Sequence, residues 1–444
     1  MSTEEAKPAN INHEGYHRRL EAVEDVLKKF GLEATQITPV EYIEHGPFPY
    51  NNFIYRVDLA HPFTPAHLSS SPFSSQPGTT PPPATGLSSL IIRLSNPRAE
   101  GLNNASRIEN EVAALSLAHE ALRRSSSAQL AELVPAVFAW QAYRPQAVPA
   151  EAGFGWTMAE LRPRANLDTQ FAALSSHEQR AAVIEQVADV VAALQRAELP
   201  PGAHAYGGLN FDEAGHVVSG ESPLVRGGPW DGYAEFWAAK VRGQMEDAEG
   251  SPLLDGWRPG GLRERLEKFL AEGGVEKILE GVDVSKKALM HGDLTMNNML
   301  YDSTTGRLTA LLDFDWAGVA HPVHDFFSGL WDLGGGTHPE DKRLQAAVLK
   351  GDFSDVPGDL SDEDKVKWEN AEAWDNALAA RGAVRPSTIK GVERLELLRE
   401  LEDSLCPFQL SNAHILKTMP KERLEAQRKE MQEKITKVLE KGGF

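Results

Sequence analysis

The sequence carries one cysteine in 444 residues, Cys406. A lone thiol forms no internal disulfide, so the chain is not a disulfide-stapled scaffold, and a reducing compartment suits it. Long uncharged apolar runs are also missing; none reaches the roughly 20 residues that a membrane-spanning helix needs. The first residues, Met1-Ser2-Thr3-Glu4-Glu5-Ala6-Lys7-Pro8, contain no apolar stretch of the signal-peptide kind. Positive charge is scarce: 45 Lys and Arg against 64 Asp and Glu leave a net charge of −19. Such a surface repels nucleic-acid phosphates and anionic membranes and tolerates a cationic ligand, although solubility alone also accounts for it. No internal repeat is evident. These absences together predict a cytoplasmic protein with neither nucleic acid nor membrane as partner. Hydrophobic residues make up 41% of the chain, enough for the cores of two or three domains or of one two-lobed enzyme.

The densest chemistry lies in residues 289–327. Two apolar, strand-like runs flank Ser303-Thr304-Thr305-Gly306, which is a hairpin pattern. With those four residues as the turn, Asp302 pairs with Arg307 and Asn298 lies opposite Leu311. Asp313 is then a diagonal neighbour of Asn298, about 7–8 Å away between backbones. An amide and a carboxylate at the mouth of a hairpin are hard oxygen ligands, of the kind Mg²⁺ takes alongside phosphate oxygens. Asp293, on the loop leading into the hairpin, is placed to orient a substrate hydroxyl and accept its proton. Phosphoryl transfer needs these parts. A His-x-Asp metal pair or a purely structural turn are the plainer alternatives.

His291-Gly292-Asp293-Leu294-x-x-x-Asn298 stands where protein kinases carry His-Arg-Asp-Leu-x-x-x-Asn, and Asp313-Phe314-Asp315 stands where they carry Asp-Phe-Gly. In this order and spacing the motifs resemble the aminoglycoside phosphotransferase and choline kinase-like family. The resemblance spans residues 37–327. It implies an α+β, bilobal, protein-kinase-like fold with a small antiparallel β-sheet lobe and a larger, mostly helical lobe. It implies transfer of phosphate from ATP, with Mg²⁺, to a hydroxyl of a small molecule, and a cationic acceptor would suit the acidic surface. Asp293 would be the catalytic base, Asn298 and Asp313 the metal ligands. His291 would fix the loop, and Asp325 would brace it from the following helix. A nucleotide-binding scaffold without transfer activity is the rival reading; the intact trio of Asp293, Asn298 and Asp313 speaks against it. Residues 316–327 are short and apolar where protein kinases place an activation segment ending in Ala-Pro-Glu, which points away from a protein acceptor.

Along the chain, a tail and first helix are expected over residues 1–30, the small lobe over 31–160, the large lobe over 161–419 and a charged helix over 420–444. Leu20, Val23, Val26, Leu27 and Phe30 form the apolar side of a helix that Gly31 stops. Alternating Phe53, Tyr55, Val57 and Leu59 predict a strand. Gly46-Pro47-Phe48-Pro49-Tyr50-Asn51-Asn52 occupies the place of a glycine-rich phosphate-covering loop. Residues 61–89, rich in Pro, Ser and Thr, predict a disordered insertion between two strands. Residues 90–94 read as a buried strand, with Arg93 where the kinase pattern has a phosphate-holding lysine. Ser106 and Glu109 form a capping box that opens a helix through His119. The cap accounts for Glu109, so Glu111, roughly 60° from Ile108 around the helix, is the expected partner of Arg93.

Residues 133–140 and 154–161 read as the last small-lobe strands, and the resemblance implies that the linker backbone at Glu160 and Leu161 holds adenine. A second capping box begins at Ser176 and opens a helix to about Gln195. Residues 205–218 read as a hairpin turning at Gly215; it is similar to an insertion in the family's fungal-type members, and no role is assigned to it. His321, His324 and Asp325 invite a metal reading that no further ligand completes. Residues 331–419 are expected to be mostly helical and to line the acceptor pocket. Residues 421–441 read as a charged helix whose stripe of Leu424, Met431, Ile435, Val438 and Leu439 packs on the large lobe.

Overall fold

The computed structural model describes residues 10–40, 42, 46–125, 129–143 and 153–444. Residues 1–9 of the expected tail lie outside that range. Asn12 is buried, and its amide donates to the Phe48 carbonyl at 2.8 Å, so the end of that segment is part of the fold.

The small lobe comprises α1 (Tyr16–Lys28), β1 (Ala34–Val40), β2 (Asn52–Phe63), α2 (Pro65–Ser69), β3 (Leu87–Ser95), α3 (Arg107–Arg123), β4 (Val137–Gln141) and β5 (Trp156–Glu160). Its five strands are antiparallel throughout, in the order β1-β2-β3-β5-β4. Period-two burial of Phe53, Tyr55, Val57 and Leu59 turns one face of β2 inward. Val23, Val26 and Leu27 of α1 join those residues in one apolar cluster.

Residues 61–89 are not a disordered spacer. Phe63 is fully buried, 5.4 Å from Phe138 between ring centres, and Phe73 stands edge-on to Trp156 at 5.3 Å. The segment then runs along β4, the edge of the sheet. Thr80 N–H donates to the Val137 carbonyl, Gln76 exchanges two hydrogen bonds with the Trp140 backbone, and the Trp140 indole N–H donates to the Pro77 carbonyl. Composition misled because Pro- and Ser-rich chain is a poor helix or strand former, yet it serves well as a cover for an unpaired edge.

The capping box at Ser106 does not form either. Ser106 makes no side-chain cap. Glu109 instead accepts the N–H of Phe211, at the hairpin β7 (Gly208–Phe211) and β8 (Val217–Gly220), and α3 runs on past His119 to Arg123. At the second expected box only the first half forms: Ser176 accepts the Gln179 N–H.

The large lobe begins with β6 (Ala165–Asn166), α4 (Leu167–Ala172) and α5 (His177–Gln195), continues through the β7–β8 hairpin, and then adds α6 (Tyr233–Glu249), α7 (Leu262–Ala271) and α8 (Gly274–Leu279). Short strands β9 (Ala288–Met290), β10 (Met299–Asp302), β11 (Arg307–Leu311) and β12 (Gly318–Ala320) carry the loops of interest. Helices α9 (Val323–Ser328), α10 (Lys342–Lys350), α11 (Asp362–Ala380), α12 (Val392–Leu405), α13 (Phe408–Ser411), α14 (Ala413–Thr418) and α15 (Lys421–Lys441) complete it. Leu424, Ile435, Val438 and Leu439 of α15 are buried in one cluster with Leu395, Leu398 and Leu401 of α12. No helix among the described residues is long and apolar enough to cross a membrane.

The β10–β11 register corrects the sequence-based pairing. Asp302 pairs with Arg307 as expected, but an irregularity between Leu300 and Tyr301 shifts the pairing by one residue, and Leu311 faces Met299. Asn298 accepts the Leu312 N–H on its carbonyl at 2.8 Å, which sets it beside the residue just before Asp313. A bulge adds one residue to one strand, and no turn signal in the sequence marks it.

Phe63→Ala tests the order of residues 61–89. A fully buried phenylalanine truncated in a packed core costs about 3–5 kcal/mol. Urea titration should show a loss of that size, whereas a loss below about 1 kcal/mol, typical of an exposed site, would return the segment to the role of a spacer.

Candidate active site

Strand β9 delivers His291, Gly292 and Asp293 to the junction of the lobes. His291 is fully buried: its Nε2 lies 2.9 Å from the Leu312 carbonyl, and its Nδ1 accepts the Asp293 N–H at 3.3 Å. Burial pushes its pKa down to about 4, so the ring is neutral and serves as a brace. Gly292 has φ +83°, and a Cβ there would sit 2.3 Å from the Trp316 carbonyl oxygen. Only glycine fits this backbone, which explains why the arginine of the kinase pattern is absent. Two aspartates hold the loop from outside. Asp325, on α9, accepts the Gly292 N–H at 2.9 Å, and Asp332 accepts the Met296 N–H at 2.6 Å.

Asp293 and Asn298 meet directly. The Asn298 amide donates to the Asp293 carbonyl at 2.8 Å and to its Oδ2 at 3.0 Å. That commits the amide nitrogen and leaves the Asn298 carbonyl oxygen for a ligand. Burial raises the Asp293 pKa above its ordinary value, against the pull of the Asn298 hydrogen bond.

Asp313 follows β11 in the left-handed region, with φ +62°. A non-glycine residue held there costs of order 1–3 kcal/mol and marks a position the surroundings enforce. Its carboxylate accepts Arg93 Nη1 at 3.1 Å. Arg93, from β3, also pairs with Glu111 of α3 and, through Nη2, with Asp315 Oδ1 at 3.2 Å. One oxygen from each of Glu111, Asp313 and Asp315 lies within 4.8 Å of the other two, and Arg93 bonds to all three groups. Desolvation and the neighbouring Asp315 charge raise the pKa of Asp313, whose side chain is still 40% exposed. For Asp315, burial is outweighed by Arg93 and Arg107, which hold its carboxyl below the usual value. The hard oxygens of Asn298 and Asp313 suit Mg²⁺.

Glu160 ends β5. Its N–H donates to the Ala136 carbonyl, and its side chain pairs with Arg162 at 2.9 Å. Leu161 follows, half-buried, at the passage between the lobes. His321, His324 and Asp325 do not gather as metal ligands: among the described residues only Glu111, Asp313 and Asp315 cluster in that way. His324 Nε2 lies 3.0 Å from the Tyr233 hydroxyl instead.

Three participants escaped the sequence reading. Asp315 was visible as the departure from Asp-Phe-Gly. Arg107, fully buried, lies one helical turn before Glu111 and therefore on the same face of α3. Asn52 opens β2 and carried no signal.

Next to the catalytic loop lies a cavity of about 730 Å³, lined by Gly292 and Trp316 and walled by the loop after β8, α6 and α12. The hairpin without an assigned role bounds this space: Gly207, just before β7, exchanges two backbone hydrogen bonds with Val319 of β12. Residues 331–419 contribute Arg399, Glu402 and Asp403 of α12, and the acidic stretch at 352–364 takes no part in the lining.

Residues 84–368 match the model of the phosphotransferase enzyme family, APH. No curated protein matches the chain. Among solved structures, the chain is similar to a putative aminoglycoside phosphotransferase from Ralstonia eutropha JMP134, at 12% identity over 96% of this chain and 98% of that one, with a TM-score of 0.47. It is also similar to ADP-bound aminoglycoside phosphotransferase APH(2'')-Ib, at 14% identity over 94% and 98%, TM-score 0.45. A third likeness is to the streptomycin–ATP–APH(2'')-IIa ternary complex, at 12% identity over 97% and 99%, TM-score 0.43.

Asp325 supplies a pH test of the loop's brace. Burial pushes its pKa up to about 7, far above the unfolded value near 4. The folded form therefore holds the proton more tightly. The resulting stabilisation is full below about pH 4 and fades as pH rises to about 7. Asp325→Asn keeps an oxygen for the Gly292 N–H and removes the titration. Its thermal midpoint should fall less between pH 5 and 8 than that of the unaltered protein; equal slopes in calorimetry would take Asp325 out of the account.

Proposed function

This chain belongs to the phosphotransferase enzyme family, and on that footing we propose that it transfers the γ-phosphoryl group of ATP to a hydroxyl of a small molecule. The observation that carries the proposal is the junction at Asn298. This side chain fixes Asp293 on the loop beside the cavity, and the strand it opens pairs with the one that ends before Asp313. A base for the acceptor and oxygen ligands for the donor thus share one loop and the hairpin it leads into.

In the proposed reaction Asp293 orients the acceptor hydroxyl and takes its proton through the carboxylate oxygen that Asn298 leaves free. The hydroxyl oxygen bonds to the γ-phosphorus, the bond to the β–γ bridging oxygen breaks, and ADP leaves. Burial lifts the basicity of Asp293, in the sense that helps a base. Asn298 and Asp313 would hold Mg²⁺, which supplies charge neutralisation at the phosphates. Arg93, set by Glu111, would bind the nucleotide phosphates, and the backbone at Glu160 and Leu161 would hold adenine.

A small acceptor is supported by the connection after Asp315. β12 returns at once to pair with β9, and residues 316–320 of this short connection line the cavity. Its lining sets Glu221, Asp247, Glu402 and Asp403 against Arg226, Lys240 and Arg399. The cations are all ion-paired, to Asp247, Glu402 and Asp403, while Glu221 is exposed. This balance supports a hydroxylated acceptor bearing positive charge.

One observation favours a second reading, a nucleotide-binding scaffold: Arg93 is already engaged by three carboxylates. Two measurements separate the readings. A metabolite screen for Mg²⁺-dependent ATP consumption should find an acceptor, and Asp293→Asn should cut its turnover by roughly 10²- to 10⁴-fold while the thermal shift with ATP persists. An ATP-dependent thermal shift without turnover on any acceptor would leave the scaffold standing, and full activity in Asp293→Asn would remove the base.

A further inference from the structure

Asp315 occupies the place where the kinase pattern has glycine, and it is only 2% exposed. It belongs to the large lobe, yet its carboxylate faces the small lobe. Oδ1 accepts Arg93 Nη2 from β3 at 3.2 Å, and Oδ2 accepts the Asn52 amide from the start of β2 at 2.5 Å. Asn52 in turn accepts Arg107 Nη2 from α3 on Oδ1 at 2.5 Å, and the same guanidinium donates to the Asn51 carbonyl. Arg107 is fully buried, and among the described residues its Nε and Nη1 have no hydrogen-bond partner. Its charge is balanced chiefly by Asp315. One carboxylate of the large lobe thus holds three elements of the small lobe.

We propose that Asp315, through Asn52 and Arg107, is a positioning residue that clasps the β1–β2 hairpin over the nucleotide site. A glycine-rich loop closes on phosphates because its backbone is free to approach them. Here the covering loop is Gly46-Pro47-Phe48-Pro49-Tyr50-Asn51, stiffened by two prolines, and it needs an anchor at its end. Asn52 is that anchor: its backbone pairs with Ser95 in the sheet, and its side chain is gripped from both lobes. The same carboxylate draws Arg93 toward Asp313, so the hairpin and the phosphate-facing guanidinium take their positions from one group. The proposal deepens the phosphotransferase reading and rests on it for the nucleotide; the position of the hairpin can be read without turnover.

Two variants test the clasp. Asn52→Ala removes the link and keeps the Asp315 charge for Arg93. It should raise the KM for ATP, and speed amide exchange in β2 and the loop before it, by about tenfold, the worth of one hydrogen bond to a charged group, with kcat little changed. Asp315→Asn should move both quantities in the same direction. The swap Asn52→Asp with Asp315→Asn rebuilds an amide–carboxylate pair, with the carboxylate now toward Arg107, and should restore slow exchange. Far-UV circular dichroism confirms that each variant folds. Unchanged exchange and KM in Asn52→Ala would overturn the clasp. So would loss of Mn²⁺ binding in Asp315→Asn, read by electron paramagnetic resonance, with hairpin exchange unaltered, because Asp315 would then be a metal ligand. If no acceptor is ever found, the exchange measurement still decides.

Discussion

The structure depends on a guanidinium placed among three carboxylates. Arg93 contacts Glu111, Asp313 and Asp315, and both it and Glu111 are more than nine-tenths buried. Taking these charges out of water costs several kcal/mol per ion, and the cost is met only if each finds its partner. Removing one member of a buried pair costs about 3–5 kcal/mol because the other is left uncompensated. The network therefore specifies an arrangement more than it adds net stability. Glu111 and Arg93 come from the small lobe, Asp313 and Asp315 from the large one, so satisfying the charges sets the lobes against each other. The surplus is negative: with Arg107, two guanidiniums face three carboxylates. Such a site has an electrostatic reason to accept a further cation, and its oxygens are of the hard kind that magnesium prefers.

Much of this was legible because the chemistry is local in sequence. Asp293, Asn298 and Asp313 lie within 21 residues on one loop and one hairpin, so spacing alone brings them close. The pairing of Glu111 with Arg93 forms although one premise for it fails: Glu109 is occupied by the Phe211 N–H rather than by a capping box, and Glu111 lies on the flank of α3 that meets the buried cation of β3. The same geometry would have named Arg107, one turn earlier, had a buried arginine been considered on an apolar face. Two of the failures share a cause. The capping box at Ser106 and the disorder of residues 61–89 were inferred from short-range pattern, and each was overridden by a distant partner, while the hairpin register was shifted by a bulge that no turn signal marks. Glu109 reaches Phe211, 102 residues away, and Gln76 reaches Trp140, 64 residues away. No local rule contains those contacts.

The acceptor side shows the same division. The absence of an activation segment could be read directly, and it pointed to a small molecule. What replaces that segment could not. The β7–β8 hairpin joins β12 through Gly207 and Val319, and the buried amide of Asn110 holds α3 to both, donating to the Ala317 carbonyl at 2.9 Å and accepting the Leu209 N–H at 2.7 Å. A wall of the cavity is thus tied to the helix that carries Glu111. On the proposed reading, one helix seen from two sides would bear on both acceptor and nucleotide, a relation that appears only in three dimensions.

The two halves of the site differ in how they are held. The catalytic loop is braced by a neutral His291 and by Asp325 and Asp332, whose pKa values burial raises to about 7 and about 6. Their hydrogen bonds run to backbone N–H groups and, from His291 Nε2, to the Leu312 carbonyl. The proposed nucleotide side is held by ion pairs between side chains, and in the proposed reaction these would exchange partners when phosphate and metal enter. A base needs a fixed position relative to its acceptor, because misplacement by an ångström is costly. A phosphate grip needs the opposite, since it must release product. Backbone bracing at Asp293 and side-chain ion pairs at Arg93 meet these demands separately, and Asn298, bonded to the first and opening the strand that pairs toward the second, is where the fixed half joins the adjustable one.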